Sequence, residues 1–406
     1  MRATITRLVG FGTRHTLSDT QSPTRGIGAA RRWAAGRFAA YSAACGGCLV
    51  VETPAQTFTG DRLPRPAEIV DVLAVQRGIN DPDRVVIVSG HIDSRNSDAM
   101  DAAADAPGAN DDGSGTAAVL EAARVLSKRK FAATIVYAVL SGEEQGLYGG
   151  KLLAETAAKK GWRVEAVLNN DIVGNTHGSS GVTDAAHVRV FSEGTRATET
   201  PAEADQRRYN GGEVDSPSRQ LARFIDAAAT DVPGLAVTMV YRTDRYSRGG
   251  DQVPMLKAGY PAVRITEAAE NYDRQHQNVR IEAGRAYGDV LAGVDFAYLA
   301  QVTRLNAVSL ALLASAPPPP PVTIEGAVKP DTIVRWTAVP GAASYRVWWR
   351  STTAPRWEHS RAAVAGATSL TLPGVVIDDW FFGVSAVSAD GYESPVAFPG
   401  LLASRS

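Results

Sequence analysis

From Leu49 onward the apolar positions fall into short, β-branched runs separated by stretches with helical spacing. The runs predict strands at Leu49–Thr53, Ala67–Val75, Val85–Val88, Ala133–Leu140, Val164–Leu168, Ala236–Tyr241 and Ala262–Thr266. The stretches between them predict helices from Thr116 to Leu126, from about Gly150 to Lys160, at Ser218–Ala228, and one long helix from about Gly284 to Leu313. Before Leu49 the chain reads as helix and loop, with Arg25–Ala44 compatible with a helix. Strands that alternate with helices and are apolar throughout are covered on both faces. The expected fold is therefore α/β: a mostly parallel, mixed sheet with helices on both sides.

The pattern changes after the unbroken run Pro317–Pro321, which favours extended polyproline and reads as a semi-rigid spacer. Thr332–Trp336, Ser344–Arg350, Ser369–Leu372 and Trp380–Val387 are short, alternating and aromatic, the pattern of an all-β sandwich. Trp336–Val347 together with Phe382–Ser394 resembles a fibronectin type III domain. Three units are expected: 1–316, a linker at 317–321, and a C-terminal β-sandwich at 322–406 that positions the first unit, docks it to a cell surface, or serves only as a spacer.

Charge narrows the choice of partner. Lys and Arg number 42 and Asp and Glu 43, a net charge of -1, so nothing points to nucleic acid or an anionic membrane. No uninterrupted apolar run is long enough to cross a bilayer, and the N-terminus lacks the apolar core of a signal peptide. The two cysteines, Cys45 and Cys48, have no further metal ligands near them. A local disulfide is favoured over two buried thiols and agrees with a secreted or periplasmic protein.

Candidate chemistry collects at strand ends. His91 and Asp93 follow the Val85 strand, Glu143 and Glu144 the Ala133 strand, and Asp171 the Val164 strand; Glu267 and His276 lie beyond the last strand, and Asp111 precedes a helix. Parallel strands deliver their C-terminal ends to one edge, where open α/β sheets place their ligands. Any one of these acids alone reads as a cap or a solvated loop residue. Clustered, they repel each other unless cations are present. The other histidines, His15, His177, His187 and His359, read as surface or satisfied core.

Gly90-His-Ile-Asp93, Gly108 to Gly115, Gly142 to Gly149, Asn170-Asp171 and Gln275-His276 together resemble the motifs of the zinc aminopeptidase family, which also contains glutamate carboxypeptidases and glutaminyl cyclases. The resemblance spans roughly residues 1–313. It implies two zinc ions: Asp111 bridging them, His91 and Asp171 completing one, Glu144 and His276 the other. Asp93 would orient the His91 ring, and Glu143 would be the general base. A cis bond between Asp111 and Asp112 is implied as well. By looser alignment Tyr246 is a possible oxyanion or substrate contact, and Asp251 belongs to a loop near the site. The expected activity is removal of N-terminal residues from a peptide substrate. A carboxypeptidase or dipeptidase that uses Arg242, Arg245 or Arg248 for a substrate carboxylate is one alternative; a non-catalytic adhesion protein is the other. The segment 174–215 is expected to supply part of the pocket wall.

Overall fold

The computed structural model describes residues 1–400. The helices are α1 (Arg2–Val9), α2 (Gly26–Ala44), α3 (Gly113–Leu126), α4 (Tyr148–Lys159), α5 (Pro201–Asn210), α6 (Pro217–Ala228), α7 (Gln252–Lys257) and α8 (Phe296–Ser315). The first strands are β1 (Val50–Glu52), β2 (Ala55–Gly60), β3 (Leu63–Val70), β4 (Val72–Gln76), β5 (Asp81–His91), β6 (Ala133–Leu140), β7 (Arg163–Asn170), β8 (His187–Phe191), β9 (Ala236–Val240) and β10 (Ala262–Glu267). A hairpin, β11 (Arg280–Glu282) and β12 (Arg285–Tyr287), follows. The sandwich strands are β13 (Val322–Glu325), β14 (Thr332–Trp336), β15 (Ser344–Ser351), β16 (His359–Ala362), β17 (Ser369–Leu372) and β18 (Trp380–Val387).

Eight strands form one mixed sheet in the order β1-β4-β6-β5-β7-β10-β8-β9. Its centre, β6-β5-β7-β10, is parallel throughout. Along β5, Val86 and Val88 enter the core beneath α1, α2, α3, α6 and α8, while Val85 and Ile87 enter the core beneath α4 and α7. Strand β6 alternates in the same way, which is why both strands read as continuously apolar. The expected α/β sheet with helices on both faces is what the chain forms.

Three elements differ from expectation. The run Ala67–Val75 is two strands that part at Asp71: β3 pairs only with β2, while β4 joins the main sheet. The helix expected from Gly284 begins at Phe296, capped by the Asp295 side chain on the N–H groups of Ala297 and Tyr298. The residues before it form β12, a short 3-10 turn and their connections. Segment 174–215 holds β8 and α5 and divides in two: Gly174 N–H donates to Asn110 Oδ1 (2.8 Å), next to Asp111, while around α5 Glu199, Arg207 and Tyr209 form one wall of a cleft whose other wall includes Trp336, Trp380 and Phe381. Helix α8 is apolar enough by composition to cross a membrane, yet half of that window is buried within the protein. The bridge expected between Cys45 and Cys48 is present just after α2.

Between Ser315 and Val322 the chain has neither helix nor strand. Beyond it, β13-β14-β17 and β16-β15-β18 form two antiparallel three-stranded sheets. Val322, Val334, Trp336 and Leu372 from one sheet meet Tyr345, Val347, Phe382, Val384 and Ala386 from the other in a shared core. Residues 401–406 of the expected sandwich lie outside the described residues. The sandwich packs on α6 through a buried ion cluster. Arg350 Nη2 donates to both oxygens of Asp215 (2.8 and 2.7 Å), and Arg223 Nη1 donates to Asp215 Oδ1 (2.7 Å).

Candidate metal centre

Most of the candidate side chains stand at or beyond the end of a central strand. His91 is the last residue of β5, Glu143 and Glu144 follow β6, Asp171 follows β7, and His276 lies in the loop after β10. Asp111 sits just before α3, whose start is pressed against the end of β5. A Cβ on Gly90 would come within 2.6 Å of the Gly115 carbonyl carbon, so glycine permits the close approach. Asp112 ties the junction together: its carboxylate accepts from the N–H groups of His91 (3.0 Å), Gly115 (2.9 Å) and Ile172 (3.1 Å). The Asp111–Asp112 peptide bond is cis.

The structure brings the six residues into two adjoining groups. His91, Glu143 and Asp171 form one, and Asp111, Glu144 and His276 the other. Asp111 lies between them, with Oδ1 3.3 Å from His91 Nε2 and Oδ2 3.0 Å from His276 Nε2. His91 Nε2 is 3.9 Å from Asp171 Oδ1, and His276 Nε2 is 3.3 Å from Glu144 Oε1. Two of these atoms, His91 Nε2 and Glu144 Oε1, are buried without a hydrogen-bond partner. Such orphans are uncommon in folded proteins and mark a place where a partner is expected.

The electrostatics agree. Burial alone would lower the His91 pKa, but Asp111, Asp171 and Asp93 outweigh it and raise it well above the usual imidazole value. Burial would raise Asp111, but the His276 and His91 rings outweigh it and hold that carboxyl well below its usual range. Glu143 is pushed well above its usual value by burial, reinforced by Asp171, Glu144 and Asp251 against the opposing pull of His91. Protonated imidazoles thus balance crowded carboxylates, a balance that a divalent cation can supply in their place.

The supporting residues are ordered as well. His91 Nδ1 lies 3.1 Å from the Asp93 carbonyl oxygen and 3.5 Å from Asp93 Oδ1. The Asp93 carboxylate accepts from Thr16 Oγ1 (2.9 Å) and from the N–H groups of Glu143 (3.3 Å) and Glu144 (3.1 Å), so one acid sets the ring and the Glu-Glu turn together. Asp251 Oδ1 accepts from the Gly150 N–H (2.9 Å), which fixes its loop to α4. Tyr246 follows Arg245, whose Nη2 lies 3.9 Å from Asp171 Oδ2. Tyr246 itself is 80% exposed and lies against the Arg242 side chain. The four remaining histidines lie outside both groups, as expected.

Sequence reasoning missed three neighbours. Asp289 accepts from the N–H groups of Asn110 (2.9 Å) and Asp111 (2.7 Å), and nothing in its local sequence marks it. Arg95 Nε donates to Glu144 Oε2 (2.9 Å). Arg264, inside fully buried β10, pairs with Asp171. A charge in the middle of an apolar strand is itself a signal, because a buried cation needs an acidic partner.

Residues 71–290 match the profile described as Peptidase family M28. The chain is 46% identical over 409 residues to a "probable zinc metalloprotease" of Leptosphaeria maculans, covering 98% of this chain and 94% of that one. It is 44% identical over 407 residues to another of that description from Pyrenophora tritici-repentis, covering 98% and 84%. In fold it is similar to LapB from Legionella pneumophila, at 18% identity and a TM-score of 0.54 over 76% of this chain and 70% of that one. It is also similar to the glutaminyl cyclase of Porphyromonas gingivalis, at 18% identity and a TM-score of 0.52 over 76% and 95%.

Proposed function

The chain belongs to peptidase family M28, and from that premise we propose that it is a dinuclear zinc aminopeptidase. The observation that carries this reading is Asp111, which turns one oxygen to His91 and the other to His276. His91 and Asp171 would complete one zinc site, and Glu144 and His276 the other. An imidazole and carboxylates suit zinc, and the two orphaned atoms fit ligands awaiting it. Zinc bound there would supply Lewis acidity, which makes hydroxide available near neutral pH and polarises the scissile carbonyl.

The chain's own residues do the rest. Glu143 takes a proton from the attacking water and delivers it to the leaving amine. Its carboxylate carries no hydrogen bond to the protein among the described residues, so it is free for that work. Asp93 orients the His91 ring through Nδ1, the usual outer partner of a ligating histidine. The sandwich, read as a fibronectin type III-like unit, is held against the peptidase by the buried Asp215 cluster and has the character of a fixed appendage. The local disulfide supports a secreted or periplasmic location.

The test is a set of aminoacyl chromogenic amides with free and blocked α-amines, assayed before chelation, after it, and after zinc is returned. Cleavage restricted to the free-amine set and restored by zinc is expected. Equal cleavage of blocked substrates would overturn the aminopeptidase assignment.

A further inference from the structure

A cavity of about 740 Å³ opens between the loop 16–21, the first half of α2 and strand β3. Its size falls within the range of small-molecule sites, about 300–1,000 Å³. None of the candidate metal ligands lines it, so what it binds is independent of the peptidase reading.

The cavity wall includes one buried cation. Arg31, on α2, is 7% exposed, and its Nε donates to Ser141 Oγ (3.0 Å). Nη2 is buried with no hydrogen-bond partner, and Nη1 makes no hydrogen bond among the described residues. Asp71, Asp93 and Glu68 favour the charge on Arg31, but burial outweighs them and lowers its pKa. Asp71 is itself pushed well above the usual carboxyl range by burial, so it is a poor counter-ion. A buried cation without a paired acid is costly, and an anion in the cavity would supply the missing partner.

The other lining charges sort into spent and free. Arg32 donates to the Thr20 carbonyl (2.7 Å), and Asp19 accepts from the N–H groups of Gln21 (2.6 Å) and Ser22 (2.9 Å). Arg65 and Glu68, both exposed on β3, have no hydrogen bond or ion pair among the described residues. Three arginines against two acids leave the lining one positive charge in excess, which matches a monoanion. Leu17, Ala35 and Val70 add an apolar wall. A planar guanidinium with unused N–H groups fits a carboxylate in geometry and charge.

We propose that this cavity is a second ligand site, which takes a small organic monocarboxylate. Its carboxylate pairs with Arg31, Arg65 adds charge at the mouth, and its apolar tail lies against Leu17, Ala35 and Val70. Aliphatic acids and free amino acids carry the same group, and the experiment separates them.

Zinc-loaded, full-length protein is titrated by calorimetry with butyrate, 2-aminobutyrate, butyramide and inorganic phosphate, as wild type, Arg31→Met and Arg65→Gln. Binding at the metal centre is common to the three proteins, so the difference between them reads the cavity. The better of the two acids is expected to bind about tenfold more tightly than butyramide, and to weaken about tenfold in Arg31→Met and about threefold in Arg65→Gln. Tighter binding of 2-aminobutyrate assigns the site to amino acids, and tighter binding of butyrate assigns it to simple acids. If Arg31→Met does not fold, Arg65→Gln decides alone. No binding of either acid, equal binding by wild type and every folded variant, butyramide as tight as the acids, or phosphate tighter than both overturns the inference.

Discussion

Glu143 and Glu144 are adjacent in sequence and lie in different surroundings. Glu144 Oε2 is tied to Arg95 and its Oε1 lies beside His276, while the Glu143 carboxylate, grouped with His91 and Asp171, carries no hydrogen bond among the described residues. Glu143→Gln should therefore lower kcat by about 10²–10⁴-fold while the zinc content stays that of the wild type; rate assays with metal analysis on the same sample check both. A second residue tests the electrostatics away from the site. Burial raises the Glu193 carboxyl from 4.5 to about 7, against the Ala197 N–H and Arg196. A raised acid costs nothing below its unfolded pKa and destabilises the fold as pH climbs through the folded one. Glu193→Gln should thus raise stability by roughly 1–2 kcal/mol at pH 8 and change little at pH 4, read from denaturant midpoints. At this scale the sequence was informative wherever an acid or histidine closes an apolar strand, as at His91, Glu144 and Asp171. It was silent on Asp289, whose role is to accept two backbone N–H groups from a segment nearly 180 positions away.

Among the elements, the N-terminal segment does more than cover the sheet. Arg14 is fully buried and donates to the carbonyls of Ile92 (2.6 Å), Pro107 (2.5 Å), Gly108 (2.9 Å) and Leu8 (3.2 Å). It thereby joins the loop after His91 to the loop before Asp111. Arg14→Met leaves those acceptors unpaired and should cost about 3–5 kcal/mol, measured by chemical denaturation. The central strands were legible because residues buried on both faces must be apolar. The break at Asp71 was not, because periodicity does not record that a chain leaves one sheet for another. The charge inside that run, now accepting from the Ser141 N–H (3.0 Å), was the available hint. Likewise the apolar spacing before Phe296 concealed a hairpin, although Asp295 already stood in the sequence as a helix cap.

Over the whole molecule, one buried carboxylate joins the two folded parts. Asp215→Ala would leave Arg350 and Arg223 buried without their acid. It should destabilise the protein by about 3–5 kcal/mol and separate one unfolding transition into two, observable by calorimetry, with bound zinc unchanged. The alternating aromatic strands announced the sandwich, but ion pairs between Arg350 and a residue 135 positions earlier leave no local pattern to read. The same holds for the proposed metal centre, whose candidate residues meet where four parallel strands and the start of α3 reach one edge. Zinc titration of the chelated protein reads that convergence out. Two equivalents are expected to bind per chain, with hydrolysis of free-amine substrates returning as they do, and Asp111→Ala is expected to disturb both sites at once. Saturation at one equivalent, or activity that survives chelation, would contradict the dinuclear reading.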